Sequence, residues 1–216
     1  MNSDGFSPTP AADDQGAGRC GWCGTAPDYV AYHDEEWGRP ELSSRALWEK
    51  LVLDGFQAGL AWITILRKRE NFRNAFEGFD PERIARWGEA DVDRLMSDAG
   101  IVRSRSKIAA TIGNARAWCA IEEREGFDQF LWRFVDFRPV QNAPETLAEV
   151  HSETPLSREV SKALKAEGFR FCGPVITYAF LQATGLVNDH LAGCPARAAC
   201  AAEAAALPDG PWTRHP

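Results

Sequence analysis

Apolar residues recur every three or four positions through most of this chain, which is the spacing of amphipathic helices. The clearest example follows a serine cap at Ser43 or Ser44. Its apolar face consists of Leu47, Trp48, Leu51 and Val52. Neither an alternating pair of strands nor an internal repeat is evident in the sequence. The pattern therefore predicts an all-α fold.

Capping residues predict where further helices begin and end. Asp80 followed by Pro81 is a typical helix start, because aspartate can cap the first turn and proline fits its first position. Asp91 is predicted to cap a short helix, and Ser106 to begin a longer one. The segments SREVSKALKAEG and GPVITYAFLQATG each end in glycine, which favours helix termination there.

Both ends of the chain differ from this helical middle. Residues 1–18 are rich in glycine, proline, alanine and aspartate and have no periodicity, so we expect them to be disordered. Residues 196–216 begin with an alanine-rich stretch and end in a cluster of proline and glycine. We expect this segment to be a frayed helix that lies outside the core.

Composition is that of a soluble globular protein. The 216 residues are 44% apolar and 25% charged, which is enough for a sizeable core. No apolar run reaches the ~18 residues of a membrane span, and the N-terminus lacks the basic start and apolar centre of a secretory signal. These features predict a cytoplasmic protein with no membrane partner. The net charge of −7 argues mildly against nucleic acid, so any nucleic-acid-binding face must be local.

Two distant groups of cysteine and histidine suggest a metal site. His190 and Cys194 are four residues apart and can share one face of a helical turn. Four ligands result if Cys20 is added together with either Cys23 or His33. Either set leaves no open coordination position, so the metal would be structural. The alternative is that these residues are ordinary buried thiols and surface histidines.

A basic turn between two predicted helices is the second candidate site. Gly100 can adopt a conformation closed to other residues, and backbone N–H groups beside a helix N-terminus can hold a phosphate. The nearby cations are Arg103, Arg105 and Lys107. The pattern is typical of a helix-hairpin-helix element that binds a nucleic-acid backbone without reading its sequence. Taken alone, the stretch is explained better by an ordinary helix–helix turn with solvated basic residues.

Aromatic residues and one carboxylate form the third candidate site. The aromatic residues near the N-terminus are Trp22, Tyr29, Tyr32 and Trp37. Further on, Asp54 lies in an apolar stretch eight residues before Trp62. Aromatic faces beside a carboxylate would suit a flat, cationic ring, because the faces attract positive charge and the carboxylate accepts hydrogen bonds. Composition alone favours the simpler interpretation that the tryptophans belong to the core.

Together, these pieces resemble a known family. Seven segments, in this order, closely resemble the 3-methyladenine DNA glycosylase I family: RCGW, YHDEEWG, LDGFQAGLAWITIL, RENFR, DAGIVRSRSKIAATIGNARA, KALKAEGFRFCGP and GLVNDHLAGC. The resemblance covers residues 19–195 as one glycosylase domain and leaves 1–18 and 196–216 as tails. It implies an all-helical fold of the helix-hairpin-helix glycosylase superfamily, with a structural zinc that joins the N- and C-terminal segments.

The resemblance also implies roles for individual residues. The implied zinc ligands are Cys20, His33, His190 and Cys194. The implied base pocket consists of Trp22, Tyr29, Tyr32, Trp62 and the carboxylate of Asp54, which is also the catalytic candidate. The DNA contacts are assigned to Leu60, Gly100, Arg103, Arg105 and Lys107. Asp54 stands where members of the family often carry glutamate, so the carboxylate reaches less far into the pocket.

The activity that this resemblance implies is excision of 3-methyladenine from double-stranded alkylated DNA. The enzyme flips the damaged nucleotide and hydrolyses its N-glycosidic bond, which releases free 3-methyladenine and leaves an abasic site. No lysine is placed to form a Schiff base, so we expect no strand cleavage, and we expect a monomer. Two alternatives are a non-enzymatic, zinc-stabilised protein that binds damaged DNA and a catalytic zinc hydrolase, which would need an open coordination position.

Overall fold

The fold is built from helices, as the sequence predicts. A computed structural model describes residues 18–212. Its helices are α1 (Pro27–Glu35), α2 (Ser44–Gln57), α3 (Trp62–Leu66), α4 (Arg69–Ala75), α5 (Pro81–Ile84), α6 (Glu89–Ser97), α7 (Arg105–Arg124), α8 (Phe127–Trp132), α9 (Pro155–Ala166), α10 (Pro174–Ala183) and α11 (Pro195–Ala205). The predicted disorder of residues 1–18 lies outside the described residues except for Gly18.

One short strand pair was not predicted from the sequence. Strand β1 (Val140–Gln141) runs parallel to β2 (Val187–Asn188), with Val140 opposite Val187. Each strand has two residues, which are too few to show an alternating pattern in the sequence. Both residues of β2 are buried. The pair matters for the site because it fixes the backbone immediately before His190.

The predicted caps are partly confirmed. Ser43 caps α2 by accepting a hydrogen bond from the backbone N–H of Ala46, and Asp80 caps α5 in the same way. The prediction for Asp91 is wrong, because Gly88 occupies the cap position of α6. Asp91 lies inside the first turn instead and accepts a hydrogen bond from the Gly88 N–H at 3.1 Å. Helix α7 begins one residue before the predicted start.

Helix α2 lies at the centre of the molecule and contacts α3, α7, α8 and α10. Its four predicted apolar residues are all buried. Three large indoles fill the core around it, and each donates its N–H to a backbone oxygen: Trp48 to Phe79, Trp118 to Ser44 and Trp132 to Glu41. These three buried indoles therefore have partners, as expected for polar groups away from water.

The C-terminal segment does not lie outside the core, contrary to the prediction. Cys200 and Ala204, one turn apart on α11, are buried. Further along, the indole of Trp212 contacts Trp132 edge-on at 5.3 Å between ring centroids. Small side chains let the helix approach closely, so an alanine-rich stretch that looks weak in isolation gains its stability from packing. Between residues 18 and 212, no helix is long and apolar enough to cross a membrane.

Candidate metal centre and adjoining pocket

Two cysteines and two histidines from opposite ends of the chain converge at one buried point. The four donor atoms of Cys20, His33, His190 and Cys194 all lie within 4.8 Å of one another. The Nδ1 atom of His190 is 3.5 Å from the sulfur of Cys20 and 3.5 Å from that of Cys194. Four nitrogen and sulfur donors at this spacing are consistent with a metal site.

The alternative ligand set, with Cys23 in place of His33, does not assemble. The Cys23 thiol is buried but donates a hydrogen bond to the backbone oxygen of Cys20 at 3.1 Å. Cys23 lies in the single turn of helix that follows Cys20, and its sulfur is not among the four clustered donor atoms. The structure therefore favours the set that contains His33.

Each histidine is oriented by a partner on the side away from the cluster. The Nδ1 atom of His33 is 2.7 Å from the carboxylate of Asp34, which Arg19 holds in an ion pair. The Nε2 atom of His190 is 3.0 Å from the backbone oxygen of Trp37. Acceptors at these positions place the ring proton outside, so each inner nitrogen presents a lone pair to the cluster.

The protonation of the cluster also suits a metal cation. Burial lowers the pKa of His190 to about 4, so this imidazole is neutral at physiological pH, as a ligand must be. Burial raises the pKa of Cys20 to about 12. A buried thiolate pair needs a nearby cation to exist, and a divalent metal supplies that charge. The residues present therefore fit such an ion.

Close backbone approach supports the cluster from one side. Gly38 adopts a φ of +83° beside the ring of His190, and a Cβ added to Gly38 would lie 2.9 Å from Nε2. Only glycine combines that backbone conformation with that proximity. The segment after α1 can thus pass directly over the histidine, which comes from more than 150 residues away in sequence.

A cavity of about 320 Å³ adjoins the cluster. Its lining includes all five residues of the implied base pocket, which are Trp22, Tyr29, Tyr32, Asp54 and Trp62. The Trp22 ring contacts Tyr29 at 5.2 Å and His33 at 5.3 Å between centroids. The aromatic wall of the cavity is therefore in direct contact with the candidate metal centre.

Two buried polar atoms in this cavity have no hydrogen-bond partner. Among the described residues, Asp54 Oδ2 and Trp62 Nε1 are the side-chain atoms in this condition, and both residues line the cavity. Leaving such atoms unsatisfied costs about 1–3 kcal/mol each. One acceptor and one donor between aromatic walls are suited to a flat ligand that carries both kinds of group.

Lys50 is a residue of the cavity that sequence reasoning missed. It precedes Asp54 by one turn of α2, and its ammonium forms an ion pair with Asp54 Oδ1. The same ammonium lies 3.9 Å from the centroid of the Trp62 ring. Burial raises the pKa of Asp54 and lowers that of Lys50, and each charge opposes the shift of the other. The sequence signal was the four-residue spacing of lysine and aspartate in KLVLD, which places the two side chains one helical turn apart.

The predicted special conformation of Gly100 is wrong. Its φ lies outside the left-handed region, and its N–H donates to the side chain of Asp98 at 2.7 Å. The Asp98 carboxylate closes the turn without the strained backbone that the sequence suggested. A glycine is suited to this position for another reason, since a Cβ there would lie 2.9 Å from Asp98 Oδ1 and 3.3 Å from Asn71.

The three cations of the hairpin differ in their surroundings. Arg105 forms ion pairs with Glu89 and Asp93. Lys107 donates to the backbone oxygens of Phe56 at 2.8 Å and Ala58 at 2.7 Å, and so holds the end of α2. Arg103 is exposed. Ser104 occupies the N-terminal cap position of α7. Its side chain does not accept a hydrogen bond from the first backbone N–H groups of this helix.

Leu60 lies on the loop that connects α2 and α3. Its side chain is 42% exposed, which is unusual for a large apolar residue. The loop runs between Gln57 and Trp62, and both of these residues line the cavity. Leu60 therefore stands close to the cavity mouth.

Comparison with known proteins agrees with this arrangement. Residues 22–198 match the model of the methyladenine glycosylase family. The chain is 52% identical over 177 residues to DNA-3-methyladenine glycosylase 1 of Escherichia coli (strain K12), which covers 82% of this chain and 95% of that protein. It is 47% identical over 180 residues to the DNA-3-methyladenine glycosylase of Haemophilus influenzae, with coverage of 83% and 97%.

A solved structure shares the fold. The structure of 3-methyladenine DNA glycosylase I from Staphylococcus aureus, which concerns recognition of 3-methyladenine by that enzyme, matches with a TM-score of 0.81 at 38% identity. The match covers 84% of this chain and 98% of the other. With the family model matched over most of its length and relatives at about half identity, the chain belongs to the methyladenine glycosylase family.

Proposed function

We infer that this protein is a DNA-3-methyladenine glycosylase I, a repair enzyme that removes 3-methyladenine from DNA. Family membership supports the reaction. The observation that carries the assignment to a site is the aromatic cavity with its unsatisfied acceptor and donor, Asp54 Oδ2 and Trp62 Nε1. The DNA substrate enters with the damaged nucleotide flipped out of the helix, because the base cannot be reached within the stack.

The proposed reaction does not need a strong general acid. Methylation at N3 makes the adenine cationic, so the base leaves as a neutral molecule when its bond to the sugar breaks. Water adds to the same sugar carbon and releases one proton to solvent. The aromatic faces of Tyr32 and Trp62 stack on the base and attract its charge. Asp54 accepts a hydrogen bond through Oδ2, and the adjacent Lys50 ammonium favours the ionised form of this buried carboxyl. The products are free 3-methyladenine and an abasic site.

We assign DNA contacts to the hairpin and the adjoining loop. The N-terminus of α7, where Ser104 makes no side-chain cap, offers N–H groups to a backbone phosphate, and exposed Arg103 adds charge. Leu60, at the cavity mouth, is suited to fill space in the duplex that the flipped nucleotide leaves. We expect Arg105 and Lys107 to contribute less than Arg103, since their charged groups already have protein partners.

We propose that the metal is zinc and that it is structural. Two cysteines and two histidines are a common zinc set, and four protein ligands leave no position for substrate or water. Bound zinc supplies the positive charge that stabilises two buried thiolates. With the ion bound, His33 and His190 would be fixed in place, and their ring contacts would support the pocket walls at Trp22 and Trp37. The alternative of a catalytic zinc hydrolase lacks the open position it needs.

Chromatography of the bases released from methylated DNA by the pure protein tests the function. We expect free 3-methyladenine to appear and the DNA strand to remain intact until the abasic sites are cleaved by alkali. Asp54→Asn, prepared in parallel, should release much less base while it still binds abasic DNA. Tight binding of methylated DNA by the wild-type protein without any base release would instead identify a non-enzymatic protein that binds damaged DNA.

A further inference from the structure

Lys50 contacts both of the groups that would recognise a cationic base. Its ammonium pairs with the carboxylate of Asp54 and lies 3.9 Å from the Trp62 ring centroid. Its side chain is only 16% exposed. A cation on an indole face and beside a carboxylate is the same combination of contacts that a methylated, positively charged adenine would make.

The other charged groups near Lys50 do not change this relation. Arg69 and Glu36 are close enough to affect the ammonium, and they form an ion pair with each other. Asp189 also lines the cavity, and its carboxylate accepts hydrogen bonds from Tyr178 and Gln182. Asp54 is thus the carboxylate of the cavity with a buried oxygen left open, and Lys50 is the cation that sits against it.

A second cavity beside Lys50 can accept its ammonium when a base displaces it. Lys50, Tyr32 and Trp62 also border a second cavity of about 360 Å³, whose lining includes Glu36 and Glu49. An unbranched side chain can swing between two cavities that it separates by changing rotamer. In the second cavity the ammonium would join Glu36 and Glu49, which pair with Arg69 and Arg73, instead of facing the base.

We propose that Lys50 determines selectivity by competing with positively charged bases for Trp62 and Asp54, and that it turns toward Glu36 and Glu49 when such a base enters. The inference rests on the proposed function of this pocket. A cationic base must displace or tolerate a like charge a few ångströms away, whereas a neutral base meets no such repulsion. Lys50 therefore weakens binding of the cationic substrate relative to the neutral product.

Binding measurements with two ligands test this role. The titrations are carried out at about pH 8.5, where free 3-methyladenine is neutral and carboxyl groups are generally ionised. 3,9-Dimethyladeninium carries a fixed positive charge, because both of its ring nitrogens are alkylated as they are in the damaged nucleotide. Calorimetric titration of each ligand is carried out with wild type, Lys50→Met and Lys50→Arg, together with titration of abasic DNA and a melting curve for each protein. Lys50→Gln is a second neutral variant should Lys50→Met fail to fold.

We expect the neutral variants to bind the cation roughly tenfold more tightly than wild type, since a nearby like charge has been removed. Because Lys50 also favours the ionised form of Asp54, the decisive quantity is the ratio of the two affinities. The neutral variants should raise the affinity for the cation relative to that for 3-methyladenine, and Lys50→Arg should keep the ratio seen in wild type. Equal changes for both ligands, or weaker binding of the cation by the neutral variants, would overturn the inference and make Lys50 a support for Asp54. If wild type binds abasic DNA but neither base, the pocket assignment itself is wrong.

Discussion

The candidate metal centre and the adjoining cavity share a wall but differ in how their polar atoms are satisfied. In the metal centre, the outer nitrogens of both histidines have acceptors, and the four donor atoms face one another. In the cavity, Asp54 Oδ2 and Trp62 Nε1 are buried without partners. A closed set of contacts is what stabilises a fold, whereas unsatisfied atoms around an open space indicate a ligand. The two regions should therefore respond differently to mutation.

The largest effect is expected at the metal centre. Cys194→Ala or His190→Ala removes a proposed ligand, and since metal binding is coupled to folding, each should lower the free energy of unfolding by on the order of several kcal/mol. Cys23→Ala is the matched control, because Cys23 is buried in the same segment but lies outside the cluster. Thermal unfolding and metal content are measured together. Loss of metal from Cys23→Ala, together with its retention by His33→Ala, would reverse the ligand assignment in favour of the set that contains Cys23.

The charge of the cavity is expected to have the next largest effect. Asp54→Asn keeps the shape but leaves the Lys50 ammonium without a counter-ion, so it should weaken binding of 3-methyladenine by about 2–3 kcal/mol. Affinity for abasic DNA, which carries no base, should change far less, and metal content not at all. Fluorescence titration of both ligands provides the comparison. Equal loss for the two would place Asp54 outside the pocket.

The aromatic wall comes third. Trp62→Ala should weaken binding of the free base by about 1–3 kcal/mol, the usual value of one lost stacking contact. Trp62→Phe keeps a stacking face but lacks Nε1, so it should lose about 1 kcal/mol if that donor is used. Isothermal titration of the two variants separates stacking from hydrogen bonding. Unchanged affinity in Trp62→Ala would show that Trp62 is only a core residue.

The smallest effect concerns the hairpin, which lies outside both regions. Arg103→Ala should reduce the slope of log affinity for abasic DNA against log salt by about 0.9, the value for one neutralised phosphate. Arg105→Ala is its matched control and should change the slope less, because Arg105 is held by Glu89 and Asp93. Neither variant should change binding of the free base. A larger slope change in Arg105→Ala than in Arg103→Ala would mean that its ion pairs open on DNA.

Local sequence predicted the helices and several of their boundaries. Periodic apolar positions identified the buried face of α2, and the caps at Ser43 and Asp80 are where the sequence suggested. Such features depend on hydrogen bonds and side-chain contacts between residues three or four apart, so the sequence itself contains them. The error at Asp91 has the same origin, because a carboxylate at the cap and one in the first turn differ by only a few residues.

The sequence also identified most residues of the site, but it did not show which residues they contact. Spacing alone allowed either Cys23 or His33 to complete the metal set, and only the fold brings His33 to His190. The same holds for Lys107, predicted to bind phosphate but bonded to the end of α2.

What the sequence by itself determined is the helical fold and the kinds of chemical group available to the site. The tertiary structure decided which of these groups meet, including the ammonium of Lys50 over Trp62 and the packing of α11 into the core. The physical reason is the distance along the chain over which each kind of interaction acts. Helix formation and capping are set within a few residues of chain, whereas the direction and protonation of a buried side chain depend on neighbours that folding brings together from distant parts of the sequence.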